Sequence, residues 1–255
     1  MIFILQKERL DLILSKLETE HSLSLKDIIQ ITGTSRDTAR RDILKLTENN
    51  LVKRTYGGVS LPDRFNRLDN YLERAEDLIT EKKQLAIAAS KLITSDKMVY
   101  LDVSTTVSFI PQCIKSQDNN FFITNSLDIA DQLLQHTDSK TRILGGNLDK
   151  EKRCVIGTKV LSELSNYNFD ISFLSIAGID ADGIYYAYEE DIELKRMIKK
   201  QTGLLVLLVD ETKINVSHNF KVFNMEDIDI IITNKILPVE LSNLLDNHRV
   251  MIIYA

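Results

Sequence analysis

Arginine and lysine side chains cluster at helical spacing between Ser35 and Lys45. At about 100° per residue, Ala39, Ile43 and Leu46 fall within roughly 60° of one another, which predicts the buried face of a helix that starts at Ser35, a good N-cap. The polar side chains then point outward. An arginine can donate two hydrogen bonds to guanine O6 and N7 in the major groove of DNA. The segment therefore predicts a DNA-binding surface made of Ser35, Arg36, Asp37, Thr38, Arg40, Arg41 and Lys45.

A second basic segment, residues 51–59, follows this helix as two short extended runs with a Gly-Gly pair. Such a ribbon is typical of a wing, whose basic residues contact phosphates or the minor groove. The charges alone favour a solvated helix face, because Asp37 and Arg41 can pair at i,i+4 for about 0.2–0.5 kcal/mol. The order of helix, helix, glycine turn, Arg-Arg helix and basic ribbon reverses that preference. The wing residues expected at DNA are Lys53, Arg54, Tyr56, Gly57 and Gly58.

Short polar motifs follow several apolar runs in the rest of the chain. In open α/β sheets ligands bind outside the carboxyl ends of the strands, and the free N–H groups at helix starts favour phosphate. Each serine or threonine can also be an ordinary N-cap, and Lys213 can be a surface lysine instead of a countercharge. Their convergence on one edge predicts a shared site for a phosphorylated ligand made of Asp102, Ser104, Thr105, Thr106, Thr124, Asn125, Ser126, Gly145, Gly146, Gly178, Asp180, Gly183 and Lys213.

The elements that must position these residues divide the chain in two. Apolar spacing predicts one helix around residues 10–17, a second over 25–31 and a turn at 32–34. A polar stretch follows Leu61-Pro62. The predicted organisation is a winged helix-turn-helix domain over residues 1–60, a linker over 61–77 and a larger domain over 78–255.

Beyond residue 78, short β-branched runs alternate with helical patterns, which is typical of a mostly parallel sheet covered by helices. The predicted fold class is α/β, with a small N-terminal winged helix-turn-helix domain and a larger, mostly parallel sheet domain. The candidate strands are residues 98–103, 121–124, 142–144, 171–177, 204–209, 228–233 and 250–253.

Composition narrows the function classes. The net charge of −5 argues against a surface that binds nucleic acid throughout, but residues 1–60 hold ten basic and eight acidic side chains, a net +2 that leaves −7 for the rest. Cys113 and Cys154 match no short metal-ligand spacing and the four histidines are scattered, so we expect reduced thiols, no metal and no cofactor. No apolar run reaches signal or membrane-spanning length, so we expect a cytoplasmic protein without membrane binding.

The N-terminal region resembles the DeoR family of bacterial regulators. The resemblance lies in Ser35-Arg36-Asp37-Thr38-Ala39-Arg40-Arg41-Asp42-Ile43, then in Leu46 and in Lys53-Arg54-Thr55-Tyr56-Gly57-Gly58-Val59. Ala39 replaces a larger aliphatic residue of the family pattern, Ile43 replaces a leucine, and Asn49-Asn50 stands where a glycine is common. These departures leave the outward basic residues in place.

The resemblance continues through Arg74, Glu81-Lys82 and the strand-end motifs, which follow in the family's order. Domains of this type are similar in fold to ribose-phosphate isomerase and glucosamine-phosphate deaminase. The resemblance implies a phosphorylated sugar or polyol as effector, double-stranded operator DNA as partner, a homodimer or homotetramer, and repression of sugar metabolism genes. Ser104 stands where the family usually has glycine, and it either narrows the effector site or adds a hydroxyl contact.

Two other functions stay open at this point. A phosphosugar isomerase or deaminase with Asp180 as general base would share the fold, although no histidine or glutamate follows in the arrangement that the deaminases use. Asp180 and Asp182 can also be turn residues or acceptors for sugar hydroxyls. The third possibility is a DNA-binding protein whose effector site has decayed, for which Ser104 is the motivating residue.

Overall fold

The computed structural model of the chain describes residues 5–20, 22–49, 51–55, 57–60, 71–114 and 119–255. The chain divides into two compact units, Met1–Arg67 and Leu68–Ala255, which we call the head and the body. No helix in the described part of either unit is long and apolar enough to cross a membrane.

The head contains three helices and a small antiparallel sheet. The strand order in this sheet is β1-β3-β2. Its elements are α1 (Gln6–Glu20), β1 (Ser22–Ser24), α2 (Leu25–Thr32), α3 (Arg36–Glu48), β2 (Lys53–Thr55) and β3 (Gly58–Ser60). The three predicted helices and the two runs of the wing are confirmed, whereas the three-residue strand β1 is too short to give a recognisable pattern.

Local capping fixes the ends of the head helices. The Ser24 side chain accepts a hydrogen bond from the Asp27 N–H and starts α2, and Ser35 does the same for α3 through the Thr38 N–H. Gly33 adopts a left-handed φ of 65° and ends α2. Because only glycine adopts this conformation without cost, the turn between the two helices is set by the sequence.

The two wing glycines serve different purposes. Gly57 has a φ of 91° in the turn between β2 and β3, where a side chain would be strained. A Cβ on Gly58 would lie 2.1 Å from the Leu23 carbonyl oxygen on β1. Gly57 therefore permits the turn, and Gly58 permits the close approach of β1 to β3.

The body contains six α-helices and twelve strands among its described residues. The helices are α4 (Tyr71–Glu76), α5 (Ile79–Ser90), α6 (Leu127–His136), α7 (Thr158–Leu164), α8 (Glu190–Lys200) and α9 (Val239–Asn247). The strands are β4 (Met98–Leu101), β5 (Phe121–Thr124), β6 (Lys140–Ile143), β7 (Asn147–Asp149), β8 (Cys154–Ile156), β9 (Phe169–Ser175), β10 (Gly178–Asp180), β11 (Gly183–Tyr186), β12 (Thr202–Val209), β13 (Phe220–Phe223), β14 (Ile230–Thr233) and β15 (Met251–Tyr254).

Seven of these strands form one sheet in the order β15-β14-β12-β9-β4-β5-β6, and every neighbouring pair is parallel. They are the seven candidate strands, with ends that agree or are shifted by one or two residues. The apolar runs of the inner strands are continuous because both faces of the sheet are buried there: in β12, Leu205 and Leu207 face one hydrophobic layer, and Val206 and Leu208 face the other.

The strand order reverses at β4. From β4 the chain runs outward through β5 to β6, and it then returns to the other side of β4 with β9. The loops after β4 and β9 therefore leave the sheet in opposite directions and open a crevice at their carboxyl ends. Such switch points are where open α/β sheets bind ligands.

Two smaller sheets supplement the main one. The hairpin β7-β8 is antiparallel, and β10-β11-β13 form a three-stranded antiparallel sheet. These short strands show neither long apolar runs nor clear alternation, so the sequence did not predict them. In the same region, a Cβ on Gly178 would lie 2.1 Å from the Val216 carbonyl oxygen, so Gly178 permits a close approach of two chain segments.

The predicted linker over residues 61–77 needs correction at its end. Residues 61–70 lie outside the described part of the chain, but Tyr71–Glu76 forms α4, and Tyr71 is only 6% exposed. The charged composition of this stretch suggested a linker. The helix is instead held by tertiary contacts to the body, which local pattern does not reveal.

Candidate functional site

The head presents arginines around a groove of about 600 Å³ between α2, α3 and the wing. Arg36 and Arg40, one turn apart on α3, line this groove together with Arg54 of β2. The opposite face of α3 buries Ala39, Ile43 and Leu46, as predicted. The groove is also lined by Gly57 and Gly58, so backbone is accessible beside the arginines.

Asp42, which follows Arg40 and Arg41 on α3, is fully buried. Its carboxylate accepts hydrogen bonds from Arg9 at 2.7 and 3.0 Å and from Gln6 at 3.2 Å, both on α1. Lys45 donates to the Gln6 side-chain oxygen at 3.1 Å. These contacts fasten α3 to α1, and they place Lys45 on the α1 side of α3 instead of in the groove.

The other predicted DNA-binding residues of the head do not share one environment. Ser35 is the N-cap of α3, and its hydroxyl lies 3.0 Å from that of Thr38. Asp37 and Arg41 are exposed, and the ion pairs found among the described residues do not join them. Lys53 belongs to β2, but its side chain lies outside the described part, as does Tyr56.

In the body, Asp102 follows β4 and is 1% exposed. Both of its carboxylate oxygens accept from the Lys195 ammonium at 2.8 Å, and Asp191 lies 3.6 Å from the same nitrogen. Burial acts to lower the pKa of Lys195, but the carboxylates of Asp102 and Asp191 outweigh it and raise that pKa. Lys195 is therefore a buried cation that anchors α8 to the loop after β4.

Ser104 turns its hydroxyl into its own loop. The Ser104 Oγ accepts hydrogen bonds from the N–H groups of Thr106 at 3.0 Å and Val107 at 3.3 Å. Thr105 and Thr106 are buried in the same loop, which leads into a 3₁₀-helix over Val107–Cys113. Two backbone donors that the sequence assigned to a phosphate are thus already satisfied by Ser104.

The motif after β5 is also tightly bonded. The Thr124 hydroxyl donates to the Leu101 carbonyl at 2.6 Å, and Ser126 caps α6 by accepting from the Ile129 N–H. Asn125 accepts from the Tyr100 hydroxyl at 2.9 Å and donates to the Val155 carbonyl at 3.2 Å. Ser126 therefore has the N-cap role that the sequence left open, and the other bonds fix Thr124 and Asn125 at the carboxyl end of β5.

Two adjoining cavities lie at the switch point. The smaller, of about 70 Å³, is lined by residues after β4 and β9, by α4 and by Tyr186. The larger, of about 660 Å³, lies between α7, α8 and β8. They share Val103, Lys152 and Asp191. Of the predicted effector residues, Ser104 lines the smaller cavity and Asn125 the larger.

The remaining predicted effector residues lie elsewhere. The Gly145 N–H donates to Glu163 at 3.0 Å, and Gly146 packs against β8 and α7. Asp180 accepts from the Asp182 and Gly183 N–H groups in the tight turn between β10 and β11. Lys213 ends a 3₁₀ turn after β12 and, among the described residues, does not line either cavity.

Family models match both units. The DeoR-like helix-turn-helix domain matches residues 9–65, and the DeoR C terminal sensor domain matches residues 78–235. The chain belongs to the DeoR family. The expected resemblance is therefore confirmed, and the body of this DeoR-family chain corresponds to the sensor domain.

Curated DeoR-type relatives cover nearly the whole chain. The HTH-type transcriptional repressor GlcR of Bacillus subtilis is 34% identical, over 96% of this chain and 95% of its own length. The glycerol-3-phosphate regulon repressor of Escherichia coli K12 is 25% identical, over 97% of this chain and 98% of its own. Membership of this family makes the chain a DNA-binding transcriptional regulator and not an enzyme, so the isomerase or deaminase alternative is set aside.

Solved structures show more distant similarity in fold. Ribose 5-phosphate isomerase A from Methanocaldococcus jannaschii matches 52% of each chain with a TM-score of 0.37 and 15% identity. A probable sor operon regulator from Shigella flexneri matches 55% of this chain and 78% of its own, with a TM-score of 0.36 and 9% identity.

Sequence reasoning missed several polar residues at the DeoR-family sensor cavities. Arg74 entered only as part of the family resemblance, and a lysine within α8 or aromatic residues around a short strand do not by themselves predict a site. The missed lining residues are Tyr71, Arg74, Lys152, Tyr186, Tyr188 and Asp191. Lys195, also missed, lines neither cavity but lies 3.6 Å from the Asp191 carboxylate. Cys154 also lines the larger cavity, and burial raises the pKa of its thiol to about 12, so the thiol stays protonated.

Proposed function

We propose that this DeoR-family regulator is a repressor that binds operator DNA through the head and is controlled by a phosphorylated sugar or polyol bound to the body. The observation that carries the first half is the arginine-lined groove formed by α3 and the wing. The second half rests on paired cavities at the switch point. It acts in the cytoplasm, where operator DNA and phosphorylated metabolites are both present.

The head has the chemistry for reading DNA. A helix such as α3 fits the major groove, where Arg36, Arg40 and Arg41 can donate to guanine O6 and N7. Arg54 lines the groove beside α3 and is proposed, with Lys53 of the same strand, to contact phosphates or the minor groove. The buried contacts of Asp42 hold α3 in one orientation, so the arginines are presented by a rigid element.

The effector class is inferred from the cavities and the relatives. Arg74 and Lys152 line the smaller cavity and can bind a phosphoryl group, whereas the larger cavity offers carboxylates to sugar hydroxyls. One relative is named a glycerol-3-phosphate regulon repressor and another a putative aga operon transcriptional repressor. These names support a phosphorylated polyol or sugar.

Ser104 favours a second candidate, a DNA-binding regulator whose effector site has decayed. Its hydroxyl occupies the Thr106 and Val107 N–H groups, which would otherwise be available to an anion. A thermal-shift screen separates the two candidates. At 100 times its dissociation constant an effector stabilises the folded state by about 2.7 kcal/mol, so a bound phosphosugar raises the melting temperature. The absence of any shift across phosphorylated sugars and polyols would favour decay.

We also propose that the protein acts as a homodimer or homotetramer assembled through the body. A single small head does not readily reach the affinities of about 10⁻⁸–10⁻¹¹ M that are usual for specific DNA binding. Paired heads on repeated half-sites would reach them. Light scattering on the complex with DNA tests this, and a monomer on DNA would contradict it.

The DNA-binding proposal is tested by fluorescence anisotropy with a duplex selected from a random pool by the wild-type protein. Arg40→Ala and Arg41→Ala are each expected to cost about 1–3 kcal/mol in specific binding, because each removes donors to a base edge. Arg54→Ala should weaken binding to all sequences. The logarithm of the binding constant should fall with the logarithm of salt concentration, with a slope near −0.9 per neutralised phosphate.

The matched control is Arg142→Ala, an exposed arginine of the body that donates to the Tyr167 hydroxyl. It should bind the duplex like the wild type. Equal losses in Arg142→Ala and Arg40→Ala, or binding that is insensitive to salt, would refute the assignment of α3 as the DNA-contacting helix.

A further inference from the structure

The helix α4 is the first described element after the head in chain order, and it forms part of the smaller cavity. Tyr71 and Arg74 of α4 line that cavity opposite Ser104 and Tyr186. We propose that Arg74 is a direct ligand for the anionic group of the effector, so that α4 registers whether the cavity is occupied. This inference rests on the proposed function and names the residue that would bind the effector's anionic group.

The cavity has the donors that an anion needs. Arg74 and Lys152 supply positive charge, of which that of Lys152 is shared with the Glu190 carboxylate in an ion pair. The Tyr186 hydroxyl is buried and, among the described residues, has no hydrogen-bond partner. A buried hydroxyl without a partner is costly unless a ligand or water satisfies it. Tyr186 is therefore positioned to donate to a bound group.

The loop after β4 leaves room for this role of Arg74. The Ser104 hydroxyl already accepts from the Thr106 and Val107 N–H groups, so these donors are not directed to a ligand. Lys213, the cation expected from the sequence, does not line the cavity within the described part of the chain. Anion binding then depends on the side chains that line the cavity, and Arg74 is the cation that α4 contributes to it.

Size and charge assign the two cavities to different parts of the effector. The smaller cavity, about 70 Å³, has space for a phosphoryl-sized group but not for a sugar ring. The larger cavity, about 660 Å³, is lined by four carboxylates against two cations, whereas the smaller is lined by one carboxylate, the shared Asp191, against Arg74 and Lys152. Carboxylates repel a phosphate and accept hydrogen bonds from hydroxyls. The phosphate therefore belongs beside Arg74 and the hydroxyls in the larger cavity.

The contacts of α4 make it responsive to this cavity. A hydrogen bond joins Tyr71 to Asp128 on α6, and Asp128 also accepts from Arg153 at 2.7–2.9 Å. At the other end, the Lys82 ammonium donates to the Arg74 and Asp77 carbonyl oxygens. The helix α4 has only six residues and is held near both ends. An anion that attracts the Arg74 side chain into the cavity should therefore alter the backbone conformation of α4.

The test uses the full chain with inorganic phosphate and a panel of phosphorylated sugars as probes. Because the chain contains no tryptophan, Leu72→Trp places a single fluorophore on α4, at a position that is 57% exposed and does not line the cavity. Phosphate should shift its emission. Adding Arg74→Gln should abolish that shift and weaken phosphate binding about tenfold or more, as expected for loss of a charged hydrogen bond.

Two further variants keep the result interpretable. Arg142→Gln removes an exposed arginine of the body that lines neither cavity, and it should retain both phosphate affinity and the emission shift. Arg74→Lys keeps the charge and should recover part of the affinity, which a merely unfolded Arg74→Gln variant would not explain.

The outcomes separate this inference from the proposed function. If phosphorylated sugars stabilise the wild type and Arg74→Gln equally, the role of Arg74 is wrong and the effector function stands. If no probe, including phosphate, stabilises the wild type, the effector function fails and this inference fails with it.

Discussion

At the scale of single residues, the run Arg40-Arg41-Asp42 contains two exposed side chains followed by a fully buried one. Helical spacing explains the difference, since Asp42 falls on the core side of α3 beside Ala39 and Leu46. A buried carboxylate must be paired, and Arg9 provides that pair at 2.7 Å. The acidic residue of the motif thus orients the helix whose arginines face outward.

Replacing Asp42 should loosen the head. Asp42→Ala removes the carboxylate that pairs with Arg9, whose side chain is only 12% exposed, and removing one partner of a buried pair costs about 3–5 kcal/mol. Hydrogen-exchange mass spectrometry on the full chain should show faster exchange in α1 and α3. Asp37→Ala, on the exposed face of the same helix, should stay within about 0.5 kcal/mol of the wild type. Similar exchange in both variants would disprove the anchoring role.

At the scale of elements, α4 is stabilised by the body and not by its own length. Six residues are too few for a stable isolated helix. Its last turn depends on the Lys82 ammonium, which donates to the Arg74 carbonyl and, at 2.7 Å, to that of Asp77. Burial lowers the pKa of Lys82, although the Asp210 and Asp77 carboxylates oppose this.

The cap on α4 can be removed without changing the size of the side chain much. In Lys82→Met the two carbonyls lose their donor, at a cost of about 1–3 kcal/mol. Peptides covering α4 should then exchange faster, and the emission shift of the Leu72→Trp reporter with phosphate should diminish. Lys91→Met, at an exposed position after α5, is the control. Unchanged protection of α4 in Lys82→Met would show that the cap is dispensable.

The elements also show where local pattern suffices. The inner strands of the seven-stranded sheet, such as β12 and β14, have apolar runs that identify them, because a strand buried on both faces excludes polar residues, whereas the edge strand β6 is mostly polar and exposed. The hairpin β7-β8 and the sheet β10-β11-β13 have only three or four residues per strand. Their pairing is decided by neighbours across the sheet, as in the contact of Gly178 with Val216.

At the scale of the whole molecule, the candidate DNA surface and the candidate effector site lie on separate compact units. If the effector lowers operator affinity by some factor, operator DNA must lower effector affinity by the same factor, typically about 5–150-fold. Anisotropy measured with and without the most stabilising phosphosugar, and calorimetry with and without the duplex, should give equal factors.

Single variants should divide these two activities. Arg40→Ala is expected to lose specific DNA binding and retain the phosphosugar thermal shift, whereas Arg74→Gln should retain DNA affinity in the absence of effector. Loss of both activities in either variant would mean that the substitution disrupts the fold and does not act at one site.

The sequence by itself determined the helices of the head, the outward arginines of α3 and the seven strands of the body. These features depend on side-chain periodicity and on caps such as Ser35 and Gly33, whose interactions span only a few residues. Only the tertiary structure decided the composition of the cavities. Lys195 pairs with Asp102 across 93 residues, and Arg74 and Tyr186 line the same cavity, because the strand order brings distant segments to the switch point at β4.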